Sequence, residues 1–264
     1  MNANNRKRIL VFGCGWLGKK LAQHLISEGY SVWGTTRSQN KADELGKLGI
    51  QAIVLDLSTQ KLIDVELPDV SKVVIGIAPG RKEGRKDYPD IIDKIATAYP
   101  QSTVQLIMYS STSVYGDKTG EVVERTITPD SKSEHIIVSA EGMLMQSKPE
   151  ATILRLCGLF GADRHPVHYL AGRQDLPNGD GPVNLVHSDQ VIEVTRYMLD
   201  NDVRGQVFNV CSSHHPSRKN YYENKAESLG LEKPIFDKGG HSAKLIVSEK
   251  VIQATGINLS TLPE

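Results

Sequence analysis

The chain has 264 residues, of which 39% are apolar and 23% charged, and its 31 basic and 31 acidic side chains cancel to a formal charge of zero. That length is ample for a buried core and the composition is ordinary for a globular domain, while the lack of a basic excess argues against nucleic acid as a partner. No run approaches the ~18 consecutive apolar residues of a membrane span.

The basic cluster Arg6, Lys7, Arg8 is followed only by Ile9 to Phe12 before Gly13 interrupts, short of the about 7–15 apolar residues of an export signal. The expectation is a cytoplasmic protein with no membrane partner. The run Arg81, Lys82, Arg85, Lys86 is interrupted by Glu83 and closed by Asp87, and reads as a solvated loop. Cys14, Cys157 and Cys211 are widely spaced and odd in number, which predicts buried free thiols in a reducing compartment. His165, His168, His214 and His215 have no accompanying set of Cys or carboxylate at ligand spacing, so no metal site is expected.

In chain order, β-rich runs at 8–12, 30–36, 51–57, 72–78, 104–110, 151–156 and 206–210 alternate with helical segments. This pattern predicts an α/β fold, a Rossmann-type doubly wound parallel sheet. The fourth to sixth runs are nearly continuous in apolar residues, as strands covered on both faces should be. Leu17, Leu21, Ala22, Leu25 and Ile26 form one helical face, with Gly29 as a stop. Ser188 is placed to cap a helix that turns Val191, Ile192, Val194, Thr195, Met198 and Leu199 inward, and a last helix is expected over 247–254. Between 161 and 187 the periodicity fades into a Gly-, Pro-, Asp- and Asn-rich excursion. The organisation expected is a Rossmann domain over 1–160 and a smaller, interleaved substrate-side lobe over 161–264.

The sequence GCGWLG at 13–18 matches G-x-G-x-x-G between a strand that ends at Phe12 and a helix that starts near Trp16. In such a turn Gly13 permits the sharp exit from the strand, Gly15 lets backbone approach a pyrophosphate, and Gly18 lets helix and strand pack closely. The helix N-terminus, with Trp16 and Leu17, presents N–H groups to the phosphates. At the end of the second strand, where NAD-binding sites carry a carboxylate, this chain has Thr36, Arg37 and Ser38. A guanidinium and hydroxyls there suit a ribose 2′-phosphate, which predicts NADP(H), with NAD(H) the less favoured alternative and Arg37 as a plain surface charge the other reading. Asp56 and Leu57 are placed to border the adenine, and Ala78 and Pro79 to let the cofactor pass.

Four further segments, SSTSVYGD at 110–117, ILRLCGLFG at 153–161, NLVHSDQVI at 184–192 and GQVFNV at 205–210, together with the glycine loop, resemble the extended short-chain dehydrogenase/reductase superfamily, also called NAD-dependent epimerase/dehydratases. The resemblance covers most of the chain in the family's order, and HYLAGRQDLPNGDGPVNLVH at 168–187 is similar to an atypical bacterial subgroup. It implies an oxidoreductase or an epimerase/dehydratase acting on a small polar molecule, with sugar nucleotides among the options. The family's catalytic Tyr-x-x-x-Lys is missing: counting back from Ala140-Glu141 puts Ser133 at the tyrosine and Ile137 at the lysine.

By the same resemblance Ser111 stands at the substrate-binding serine, with Ser110, Thr112 and Ser113 beside it. Tyr115 and His135 are the candidate substitutes for the missing acid, and Arg155 and Asn184 are candidate pocket residues. Structural readings of these side chains remain open: Tyr115 as a wall, His135 as an exposed helix residue, Arg155 as the partner of a buried carboxylate. His187, Ser188 and Asp189 are adjacent, but nothing resembles a nucleophile elbow, so a serine-hydrolase reading is set aside. The alternative to an enzyme is a non-catalytic dinucleotide-binding sensor or regulatory protein. The oligomeric state is left open, a homodimer among the options.

Overall fold

A computed structural model describes residues 7–57, 59–60, 62–80, 86–99, 103–147, 150–240 and 243–262. The stretch 81–85, read above as a solvated loop, lies outside the described residues. In chain order the elements are β1 (Arg8–Phe12), α1 (Trp16–Ser27), β2 (Ser31–Thr36), α2 (Gln39–Gly46), β3 (Gln51–Val54), β4 (Lys72–Ile75), α3 (Tyr88–Thr97), β5 (Gln105–Ser111), β6 (Glu121–Val122) and α4 (Ile136–Gln146). They continue with β7 (Ala151–Leu156), β8 (Gly158–Phe160), α5 (Val167–Leu170), β9 (Leu185–His187), α6 (Ser188–Asp200), β10 (Val207–Val210), α7 (Arg218–Ser228), β11 (Leu245–Ile246) and α8 (Glu249–Thr255).

The seven-stranded parallel sheet runs in the order β10-β7-β5-β4-β1-β2-β3. This is the doubly wound order: the chain leaves β1 for β2 and β3 on one side, then returns across β1 to β4 and β5 on the other. The reversal falls between β1 and β4, where open α/β sheets bind ligands beyond their carboxyl ends. The register sets Val11 opposite Gly34 on one side and opposite Val74 on the other. Strands β4, β5 and β7 are buried almost throughout, which follows from their unbroken apolar runs. No described helix is long and apolar enough to cross a membrane.

The chain divides into two compact units. One comprises 1–114, 128–154 and 195–207, and the other 115–127, 155–194 and 208–264. The first has a core in which Leu10, Phe12, Val73, Ile75, Leu106 and Met108 of the sheet pack with Ile91, Ile92 and Ile95 of α3 and Leu144 of α4. Each such side chain contributes about 1.5–3 kcal/mol by leaving water. The second has its own core of Phe160, Val167, Leu176, Leu185, Tyr222 and Phe236. The partition differs from a cut at 160–161 because 115–127 joins the second unit through the β6–β11 pair, and the second half of α6 belongs to the first.

Two local expectations are corrected. Ser188 is the first residue of α6 rather than its cap; it is fully buried and its hydroxyl donates to the Asp189 carboxylate at 3.2 Å. Cys157 and Cys211 are not free thiols: they are joined in a disulfide, with their Cα atoms 5.2 Å apart. Adjacent strands β7 and β10 bring their carboxyl ends together, with Cys157 N donating to Val210 O at 3.1 Å, a proximity that a sequence separation of 54 conceals. Cys14 alone remains a free cysteine, and burial pushes its thiol up to about 12.

On a chain-entropy model a cross-link spanning 54 positions stabilises the fold by about 4 kcal/mol. Urea unfolding of the oxidised chain with and without dithiothreitol is therefore expected to differ by about that amount, and Cys157→Ser to remove the difference. Equal curves with two titratable thiols in the untreated protein would count against the bridge.

Candidate functional site

The turn after β1 is held by a single neighbour on β2. Gly13 N donates to Thr35 Oγ1 at 2.8 Å and Cys14 N donates to Thr35 O at 2.9 Å. Gly13 has a φ of +85°, and a Cβ there would lie 3.0 Å from backbone atoms of Gly76 and Ile77, so no other residue fits the exit from the strand. At Gly18 a Cβ would stand 2.6 Å from Gly13 O, which is the close helix–strand approach. Gly15 faces open space, with nothing within 4 Å of its Cβ position.

The first intrahelical hydrogen bond of α1 runs from Lys19 N to Gly15 O at 2.9 Å. The preceding amides of Leu17 and Gly18 thus have no partner within the helix. Gly15 supplies no side-chain cap, and the first turn holds no acidic residue. A helix end left in this state suits a phosphate, through its N–H groups and partial positive charge. The residues present therefore fit a dinucleotide.

Next along the carboxyl edge, Thr36 ends β2 and is buried, while Arg37 and Ser38 are exposed and Ser38 occupies the N-cap of α2 without a side-chain hydrogen bond. Among the described residues no carboxylate pairs with Arg37, and the first turn of α2 is free of acidic side chains. Asp56 and Leu57 follow β3 and are half-buried; Asp56 N donates to Gln60 Oε1 at 2.7 Å, and Leu57 packs on the core. Ala78 is exposed and Pro79 half-buried after β4, beyond Ile77, whose carbonyl accepts from the Tyr88 hydroxyl at 3.2 Å.

The serines at the end of β5 separate by strand alternation. Ser110 turns inward, and its Oγ donates to the fully buried Glu141 of α4 at 2.5 Å. The Glu141 charge, after burial, adds to the forces raising the pKa of Tyr88. Ser111 is half-buried and its Oγ accepts from Ser113 N at 3.1 Å, which leaves its hydroxyl hydrogen available. Glu141 served in the sequence only as a landmark for counting. Its burial beside a strand-five serine depends on how β5 and α4 pack and leaves no mark in the sequence.

At the positions of the missing pair, Ser133 lies in the turn before α4 and its Oγ accepts from His135 N at 3.2 Å. Ile137 is buried. His135 is exposed at the N-cap of α4, and its Nδ1 accepts from Val138 N at 3.5 Å.

Within the second unit, Tyr115 is 1% exposed. Its hydroxyl donates to Asn209 Oδ1 at 2.6 Å and accepts from Arg155 Nη1 at 3.0 Å. Arg155 also donates to Glu124 O at 3.0 Å, and Glu124 Oε1 accepts from Asn209 N at 2.8 Å. Burial raises the Tyr115 pKa, against the nearby Arg155 charge. The hydroxyl of this candidate acid is thus engaged inside a buried network, whereas a proton donor must reach its substrate. Arg155 is structural in the same network, fully buried. Asn184 binds backbone on both sides, its Nδ2 donating to Lys244 O at 2.8 Å and its Oδ1 accepting from Ile246 N at 2.9 Å. No described group of three or more His, Cys, Asp or Glu has the arrangement of a metal site.

The structure thus gathers the glycine loop, the Arg37–Ser38 corner, residues 76–79 and Ser111 along the carboxyl ends of β1, β2, β4 and β5, and it leaves Tyr115 outside that set. A parallel sheet carrying an uncapped, glycine-entered helix at its switch point defines a dinucleotide-binding α/β protein. The model of the NAD dependent epimerase/dehydratase family matches residues 9–211, and the chain belongs to that family.

The protein YeeZ of Escherichia coli K12 is 33% identical over 247 residues, covering 90% of this chain and 89% of YeeZ. Solved structures that share the fold include the following three. A conserved protein of unknown function from Silicibacter pomeroyi aligns with a TM-score of 0.77 at 21% identity, over 96% of this chain and 95% of its own. A UDP-glucuronic acid 4-epimerase from Bacillus cereus in complex with NAD aligns at 0.75 and 21%, over 96% and 95%. A dTDP-glucose 4,6-dehydratase from Bacillus anthracis in complex with NAD aligns at 0.73 and 18%, over 95% and 91%.

Replacing Tyr115 with Phe removes the hydroxyl between Asn209 and Arg155 and strands two buried polar groups. Urea denaturation is expected to show a loss of about 1–3 kcal/mol with nucleotide affinity retained. Unchanged stability together with lost turnover would instead make Tyr115 the acid.

Proposed function

We propose that this chain is an NADP(H)-dependent oxidoreductase or epimerase-like enzyme acting on a small polar substrate, with sugar nucleotides as the first class to test. The observation that carries the reading is the uncapped N-terminus of α1 behind the Gly13–Gly18 turn, with the Arg37 guanidinium and Ser38 hydroxyl at the end of β2. Membership of the epimerase/dehydratase family supports a nicotinamide dinucleotide. The solved relatives that act on sugar nucleotides hold NAD, and the preference for NADP(H) rests on Arg37 replacing the usual carboxylate.

A bound nicotinamide cofactor supplies or accepts the hydride. The amides of Leu17 and Gly18 bind the diphosphate, and Arg37 with Ser38 forms charge-assisted hydrogen bonds to a 2′-phosphate. The Ser111 hydroxyl donates to the substrate oxygen and orients the reacting carbon. Since Ser133 and Ile137 replace the usual pair, the proton comes from water or from His135. General acid–base assistance is worth about 10²–10⁴-fold, so turnover by this chain is slow relative to relatives that keep the tyrosine.

A second reading, a dinucleotide-binding sensor without chemistry, is favoured by the buried Ile137 and the engaged Tyr115 hydroxyl. Turnover across aldehydes, ketones and sugar nucleotides decides between the two. Arg37→Ala is expected to weaken NADPH binding by about 10- to 100-fold, the worth of a charge-assisted hydrogen bond, and to leave NADH affinity nearly unchanged. Equal losses for the two nucleotides would refute the 2′-phosphate role.

A further inference from the structure

The second unit carries a cleft of about 430 Å³ along one face of α7 that has no part in the dinucleotide site. Its lining is apolar at Pro216, the half-buried Tyr221 ring and Leu262, and polar at Lys225, Asn220, Asn224, His214 and Ser228. No carboxylate lines it. Among the described residues, no hydrogen bond or ion pair engages the side chains of Asn220, Asn224 or Lys225.

The walls are fixed by bonds of their own. The Tyr221 hydroxyl and His165 Nε2 are 3.0 Å apart in a hydrogen bond. The tail that presents Leu262 is held where Ser213 N donates to Leu259 O at 2.9 Å and Gln190 Nε2 to Thr261 O at 3.1 Å. Pro216 is anchored by its carbonyl, which accepts from Val183 N at 2.9 Å, and α7 is capped by Ser217, whose Oγ accepts from Asn220 N at 3.3 Å. A concave surface whose shape is held by its frame, and whose polar side chains remain unengaged, is pre-organised for a ligand.

The chemistry of those side chains specifies the ligand's sign. Lys225 is a point charge with three donors; the Asn220 and Asn224 amides, one helical turn apart, add donors, and all three side chains line the same cleft. The Lys225 field also reaches inward: after burial it is the next influence holding His165 down at about 4. We propose that this cleft binds a phosphate monoester with a ring or aliphatic body, the phosphate on Lys225 and the two asparagine amides, the body against Tyr221, Pro216 and Leu262. A phosphate offers three terminal oxygens to these donors, where a carboxylate offers two.

The test uses the full chain, labelled for amide NMR and saturated with NADP⁺, titrated with phenyl phosphate, benzoate and inorganic phosphate. Phenyl phosphate is expected to shift the amides of His214 and of residues 220–228 saturably, with a Kd below about 1 mM. Benzoate and inorganic phosphate, which lack an oxygen or the ring, bind at least about tenfold more weakly.

Lys225→Met is expected to weaken phenyl phosphate by about tenfold or more with an unchanged melting temperature, and Lys225→Arg to retain binding. NADPH affinity stays the same in both variants, so a failure here is separable from a failure of the dinucleotide reading. The proposal is overturned if phenyl phosphate produces no saturable shift in these amides, if Lys225→Met binds it as well as wild type, or if benzoate binds as tightly.

Discussion

Thr35 organises the turn at the carboxyl end of β1. One residue of β2 receives two consecutive amides from the turn after β1, one on its hydroxyl and one on its carbonyl. The turn can therefore leave the sheet at a positive φ without stranding its own N–H groups, whose burial unpaired is costly. With the turn fixed, Gly18 seats α1 against Gly13 O, and the orphan amides of the first helical turn point past the edge of the sheet. A side-chain cap would satisfy one of those amides and weaken the site; glycine at position 15 leaves them for an anion.

The buried polar groups have a different task. Ser110 with Glu141 in one unit, and Tyr115 with Asn209, Arg155 and Glu124 in the other, are buried sets in which these donors meet acceptors at 2.5–3.0 Å. In a low-dielectric interior such sets fix one arrangement of their segments and are disrupted by the loss of any member. They include a neighbour of the expected substrate serine and one of the candidate substitute acids, so a place near a motif and a role in the fold come apart here. Tyr115 follows the serine run of β5 and braces 115–127 against Arg155 and Asn209 of the β7 and β10 strands.

How much of this could be read from the sequence depends on what each signal physically measures. Strands β1 and β7 match their predicted bounds because apolar run and hydrogen-bonded ladder coincide there. The third and fourth runs were expected to extend to 57 and 78 but end at Val54 and Ile75: apolar side chains continue to pack on the core after the ladder has ended, as Leu57 and Ile77 do. Helix α4 is buried on nearly every side, so it has no polar face to generate a period, and its place came only from the Ala140-Glu141 landmark. Helix α7, RKNYYENKAES, buries only Tyr222 and Ala226 and is invisible for the opposite reason. The glycine loop and Arg37 were legible because their chemistry is local. The disulfide, the Tyr115 network and the α7 cleft were not, since each depends on which strands and loops become neighbours.

The remaining tension is between a glycine turn and helix terminus shaped for a dinucleotide and a proton path that lacks its usual pair. Hydride transfer and proton transfer make separate demands. The first needs a dinucleotide held by backbone geometry, which substitution of side chains elsewhere leaves untouched. The second needs a titratable group within hydrogen-bond reach of the substrate, and the helix face that normally supplies it carries Ser133 before the helix and Ile137 buried within it. His135 is the nearest titratable side chain in sequence, yet its Nδ1 already accepts an amide at the start of α4. Protonation of that nitrogen would end the cap, so acid catalysis by His135 and closure of the helix's first turn compete for one lone pair. A cap is worth about 1 kcal/mol and acid–base assistance about 3–5 kcal/mol of barrier. The competition is therefore affordable on energetic grounds, provided that Nε2, which the cap leaves unused, is the nitrogen that faces the substrate.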